Sequence, residues 1–158
     1  MNQRARIVMS DDEVTTFLEE SRKLQLGTIN PDGTPHMVTM FYGLVEGRIG
    51  FWTYGKAQKT RNIERDARVT CLIEAGDDYF DLRGVLLYGT ARLIDTPADV
   101  LDIGMTITKR MTGISDAEST EQLRGYVEQT GRKRIAYIVE PDRVVSWDHR
   151  KLATPASA

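Results

Sequence analysis

The stretch LQLGTINPDGTPHMVTMFYGLVEGRIGFWTYG, residues 24–55, decides the fold. Short runs of apolar, β-branched and aromatic residues alternate in it with the turn signals Pro31-Asp32-Gly33 and Glu46-Gly47. That rhythm is a β-meander, read as about three strands. Upstream, MSDDEVTTFLEESRKL has a different period. Ser10 can cap a helix and Glu13 completes the S-x-x-E box, with Val14, Phe17 and Leu18 recurring at helical spacing.

Downstream, AQKTRNIERD is a short helix with Ile63 as its one strong apolar anchor. ARVTCLIEAG and YFDLRGVLLYGTARLID are strands, the second long, with Gly84 and Gly89 at bulge or close-approach positions. From Thr96-Pro97 to about Gly131 the pattern is helical in two segments. One carries Val100, Ile103, Met105 and Ile107; the other, near residues 118–130, carries Leu123, Tyr126 and Val127. RKRIAYIVEPDRVVSWDHRKL closes the domain as two strands across Glu140-Pro141-Asp142. Residues 1–152 are expected to form one domain and 153–158 a disordered tail. Six or seven strands with few intervening helices, and no G-x-G-x-x-G or Walker loop, argue against a doubly wound fold. The expected class is mainly β, a small antiparallel barrel decorated by helices.

Composition narrows the function. Net charge is −2, so no global field recruits nucleic acid and any anion site must be local. No apolar run approaches the ~20 residues of a membrane span, and the N-terminus lacks a signal-peptide core, so a cytoplasmic protein is expected. Cys71 is the only cysteine and sits in an apolar strand, which reads as a small buried hydrophobe. His36 and His149 have no neighbour at metal-ligand spacing and read as surface residues. The acids Glu74, Asp77, Asp78 and Asp81 read as a solvated loop, since calcium-loop spacing is absent. Asp148 suits ordering its own loop as well as it suits a reaction.

One segment departs from this bland picture. YGKAQKTRNIERDARV, residues 54–69, sets Lys56, Lys59, Arg61, Arg65 and Arg68 against only Glu64 and Asp66. At a strand-to-helix junction, free helix N–H groups and mobile cations together can hold a phosphate. A basic, solvated helix face would account for the same residues.

IGFWTYGKAQKTRNIERDARVTCLI, with GTPHMVTM before it and VLLYGTARLID and RVVSWDHRKL after it, resembles the pyridoxamine 5′-phosphate oxidase-like flavin-binding split-barrel family. It resembles more narrowly the branch that uses the deazaflavin coenzyme F420. The resemblance spans about residues 25–152 and rests on four elements in order. It implies a split antiparallel β-barrel of Greek-key type with short helices, and a homodimer with the cofactor groove at its interface. It further implies that Lys59 holds the cofactor phosphate, with Lys56, Gln58 and Arg61 around the same anionic end. Met37, Val38 and Thr39 match the strand lining the ring, and Thr53 and Tyr54 the strand end entering the phosphate loop. Trp147 matches an aromatic that arrives from the partner subunit, with Lys151 close by. Gln58-Lys59 replaces the Arg-Lys of the oxidases, and DHRKL follows Trp147 where their Arg-x-His-Asp-Arg segment is expected. The residues that grip pyridoxamine phosphate are thus not recognisable. The implied activity is hydride transfer from reduced F420 to a conjugated acceptor such as an enone, a quinone or a biliverdin-like tetrapyrrole, and no side chain stands out as a general acid. The alternatives are an FMN-dependent oxidoreductase and a non-enzymatic carrier of flavin, heme or deazaflavin.

Overall fold

The chain closes a sheet with a link of one residue. In the computed structural model, which describes residues 2–153, seven antiparallel strands lie in the order β2-β1-β5-β6-β7-β4-β3. They are β1 (Lys23–Ile29), β2 (Pro35–Phe41), β3 (Gly43–Val45), β4 (Arg48–Tyr54), β5 (Arg68–Ala75), β6 (Arg83–Ile94) and β7 (Arg134–Asp148). The edge strands β2 and β3 are consecutive in sequence and joined through Tyr42 alone, so the sheet must curl until its edges meet. No ladder pairs β2 with β3 among the described residues. The result is a split barrel.

Tyr42 staples that seam. It is fully buried, its hydroxyl donates to the Leu18 carbonyl at 2.7 Å, and the Arg110 guanidinium lies 5.0 Å from its ring centroid. Inside the barrel, Leu24, Leu26, Phe51, Ile73, Val85, Tyr137 and Val139 form the main core. The helices α4 (Pro97–Thr112) and α5 (Glu121–Gly131) cover the outside of β4 and β7, burying Trp52, Val100, Ile103, Ile107 and Val127 in a second core. Strand β4 is therefore buried on both faces, and its apolar run shows no alternation.

The helix α2 (Asp11–Glu20) begins at the expected capping box, with Glu13 N–H donating to Ser10 Oγ at 3.2 Å and Ser10 N–H to Glu13 Oε2 at 2.6 Å. Pro97 opens α4 as anticipated. A short helix α1 (Gln3–Arg6) precedes α2 and had no signal in the sequence reading.

Two expectations need correction. The meander is four strands, because β3 occupies the short run before Glu46-Gly47. The closing segment is one continuous strand, β7, and Pro141 does not break it. A register shift after Tyr88 places Gly89 opposite Pro141, so the proline sits at a bulge where a missing N–H costs no ladder bond. A Cβ on Gly89 would collide with the Glu140 carbonyl, which explains the glycine. The helix α3 (Gln58–Arg65) has Ile63 as its one buried apolar anchor, as expected, and adds polar ones. Ile63 is buried, but so are Thr60 and Asn62, both at 0% exposure. From the tail expected over 153–158, residues 154–158 lie outside the described residues.

The polar anchors carry α3 across the split end of the barrel. Asn62 donates from Nδ2 to Thr28 Oγ1 and to Asn30 Oδ1, both at 3.0 Å, and accepts from Gln58 Nε2 at 2.9 Å. Arg65 donates to the Ile29 carbonyl. On the other side, Thr60 Oγ1 donates to the Tyr54 carbonyl at 2.9 Å. One helix thus fastens the exit of β4 to the end of β1. Asn62→Ala should lower the unfolding free energy by about 2 kcal/mol, since it strands buried polar partners worth roughly 1–3 kcal/mol. The exposed Arg61→Ala should change it by less than about 0.5 kcal/mol. Urea titration of both variants checks this, and equal losses would deny Asn62 its anchoring role.

Candidate anion and ring site

The N-terminal end of α3 is open. Its N-cap is Ala57, which offers no side-chain acceptor, so the first-turn N–H groups of Gln58, Lys59 and Thr60 have no cap. The segment before it leaves β4 at Tyr54, turns through Gly55, whose N–H donates to the Lys133 carbonyl at 3.0 Å, and enters the helix. Thr53 is buried beneath this turn, while Tyr54 is 54% exposed.

The basic run divides into two groups. Arg65 is tied to β1, and Arg68 pairs with Asp66 at 2.6 Å, holding that carboxyl down at about 2. Lys56, Lys59 and Arg61 make no ion pair among the described residues. Lys56 and Arg61 are exposed, and Lys59 is half-buried. Burial, and secondly the charge of Arg134, push the Lys59 ammonium below its ordinary value. A partly desolvated lysine with a cation beside it and no acid to answer it is an arrangement that an anion would relieve. Gln58 supports the Asn62 network and so orients the helix.

Of the three residues expected to line a ring, two lie on the outer sheet face. Along β2 exposure alternates, placing Met37 and Thr39 outward and Val38 against the core. Thr39 Oγ1 donates to Gln25 Oε1 at 2.9 Å. A groove of about 590 Å³ runs beside Met37, bounded by Gly27, Thr28, Ile29, Arg68, Thr70 and Tyr88. Its Thr28–Ile29 end is where the C-terminal half of α3 docks, through Asn62 and Arg65, while the N-terminal half is tied to β4 through Thr60.

Trp147 and Lys151 stand apart. Trp147 lies towards the far end of β7 from Arg134, the partner of Tyr54 in the ladder, roughly 40 Å of strand at about 3.3 Å per residue. It packs against Gly84, where any Cβ would collide with the indole. Within one chain it does not meet Lys59. It does share the outer sheet face with Met37, because the pairings Gly84↔Trp147, Leu72↔Leu86 and Gln25↔Thr39 run across one surface. Lys151 is already engaged, donating to Glu13 Oε2 at 2.6 Å and to the Val8 carbonyl at 2.8 Å.

Other candidates take structural roles. Asp148 is 5% exposed and grips Arg150, which orders the loop after β7 and keeps its carboxyl below the usual range. Cys71 is fully buried, and burial pushes its thiol up to about 12. His149 is half-buried, with Nδ1 2.8 Å from the Tyr79 carbonyl. No cluster of His, Cys, Asp or Glu fit to hold a metal occurs among the described residues. The sequence reading missed Arg134, whose neighbours come from a distant strand.

Comparison with known proteins bears on this geometry. The family described as pyridoxamine 5′-phosphate oxidase matches residues 10–149. A conserved hypothetical protein from Mycobacterium tuberculosis has a crystal structure with TM-score 0.89 and 39% identity, covering 100% of this chain and 96% of that one. A structure described as an F420 reductase matches with TM-score 0.61 and 21% identity over 82% of this chain and 93% of its own. A heme storage protein from Vibrio cholerae matches with TM-score 0.65 and 14% identity over 86% and 94%. At such identities the last two show the shared fold alone. A search of curated proteins found no match.

Lys59→Ala should weaken binding of a phosphate-bearing flavin or deazaflavin by about ten- to a hundredfold, the worth of one charged hydrogen bond. Arg65→Ala should cost only a few-fold in affinity, its loss falling on stability. Affinity should also fall as pH rises. A bound anion raises the lysine pKa, so binding is full below the free protein's lowered value and is lost as pH climbs through it. Calorimetric titration against pH checks both claims, and Lys59→Ala should abolish that alkaline loss. Equal small effects of the two substitutions would make the run a solvated basic face.

Proposed function

The chain belongs to the pyridoxamine 5′-phosphate oxidase family, and from that premise we propose that it is an F420-dependent reductase acting on a conjugated small molecule. The observation that carries this reading is the group of unpaired cations Lys56, Lys59 and Arg61 around an uncapped helix N-terminus, in a chain of net charge −2. The deazaflavin has a phosphodiester and an oligoglutamate tail, a row of negative charges. Several cations in a line suit such a tail better than a single phosphate grip does.

When bound, reduced F420 supplies the hydride for an electron-poor carbon of an enone, quinone or biliverdin-like acceptor. The protein's own part is binding and orientation. Lys59 and the first-turn N–H groups of α3 hold the anionic end, and β2 lines the ring with the Met37 side chain in the groove and with main-chain groups at Val38 and Thr39. Tyr54, exposed at the strand exit, borders the tail.

The same reading takes the working form to be a homodimer. Met37, Phe41, Leu72, Leu86, Tyr88 and Trp147 share the outer face of the sheet, and Met37 and Phe41 are 54% and 39% exposed. A second copy would cover this apolar strip and bring its own Trp147 towards the groove. Light scattering at micromolar concentration should give twice the chain mass; a stable monomer that still binds cofactor would exclude this arrangement.

Parallel titrations with F420 and FMN test the cofactor assignment. F420 should bind more tightly at moderate ionic strength, with its advantage shrinking as salt screens the tail. A preference for FMN would replace the proposal with an FMN-dependent oxidoreductase. Tight F420 binding without oxidation of its reduced form by any quinone or enone would favour a carrier.

A further inference from the structure

Arg134 is held in place but answers to nothing. Arg48, Arg68, Arg92, Arg124 and Arg150 each close an ion pair, and Arg110, whose Nε is also buried without a partner, donates from its terminal nitrogen to main-chain carbonyls. The Arg134 side chain makes no ion pair or hydrogen bond among the described residues, and its Nε is buried without a partner. Its guanidinium carbon lies 4.6 Å from the Trp52 ring centroid and 4.4 Å from that of Tyr54. The two aromatic rings fix where the cation sits and leave its N–H groups unspent.

Its position is set by the ladder. Arg134 pairs with Tyr54, the last residue of β4, immediately before the turn into α3. It lies close enough to Lys59 for its charge to act on the ammonium. Asp95 and Glu128 line the cleft between α4 and α5 together with it, but neither bonds to it, and Glu128 pairs with Arg124. Two neighbouring cations, one with an orphan buried donor, are costly to assemble for the fold alone.

We propose that Arg134 is a second ligand-binding cation, which joins Lys59 in holding the phosphate of the cofactor from the β7 side. The proposal rests on reading the start of α3 as an anion site. The planar fork supplies directed N–H donors to a phosphate oxygen pair, where Lys59 supplies a point charge. Trp52 and Tyr54 then act as its positioning residues.

The test uses two ligand pairs that differ at the phosphate: FMN against riboflavin, and F420 against its chromophore lacking the phosphodiester tail. Arg134→Gln should weaken the phosphate-bearing member of whichever pair binds by about tenfold. The phosphate-free member should stay within about twofold, and melting temperature identifies any loss that is only structural. Arg134→Lys keeps the charge but loses the fork, so it should fall between wild type and Arg134→Gln; it carries the test alone if the glutamine variant does not fold. Unchanged affinity for the phosphate-bearing ligand in these variants, with Lys59→Ala still damaging, would overturn the role of Arg134 and leave the anion site standing. Equal wild-type affinity for both members of a pair would remove the anion site itself, and this inference with it.

Discussion

A buried amide holds the candidate site together. Asn62 is at 0% exposure and bonds across to Thr28 and Asn30 on one side of the split barrel, while Thr60, two residues earlier on the same helix, bonds to the end of β4 on the other. Buried polar groups lose heavily when their partners move, so this network leaves α3 little freedom. The barrel needs such a strap, because its edge strands meet at Tyr42 without a ladder between them. The position of the helix N-terminus follows from that closure, and so does the docking of its C-terminal half at one end of the groove on the outer sheet.

The positive charges sort by whether the fold already uses them. Arg65, Arg68, Arg110 and Lys151 are committed to carbonyls or carboxylates. Lys56, Lys59, Arg61 and Arg134 are uncommitted, and they gather where β4 passes into α3. A chain with a slight overall negative charge therefore presents a local positive end beside an apolar groove. On the proposed reading that combination suits a ligand with a flat ring and an anionic tail, and reactivity is left to the ligand.

Much of this was legible in the sequence. Ser10 and Glu13 announced α2, the turn signals separated the early strands, and Gly84 and Gly89 proved to be close-approach positions. The basic run from Lys56 to Arg68 was visible through its charge density next to an apolar strand. Hidden features depended on residues far apart in the chain. Pro141 reads as a breaker until Gly89 is seen opposite it at a bulge. Asn62 reads as part of a solvated helix face until β1 supplies its partners. Arg134 reads as one of three basic residues in RKR until the rings of Trp52 and Tyr54 enclose it. Trp147 lies on the same outer face as Met37, and β7 carries it far from Lys59 within one chain.

The central claim is that the start of α3 binds an anion. The most direct measurement is an amide chemical-shift map of the protein titrated with F420 and, separately, with inorganic phosphate. The account predicts that both ligands move the amides of Gln58, Lys59 and Thr60 most, with F420 alone adding shifts along β2 at Met37 to Thr39. Phosphate shifts concentrated elsewhere, with those three amides unmoved by either ligand, would contradict it.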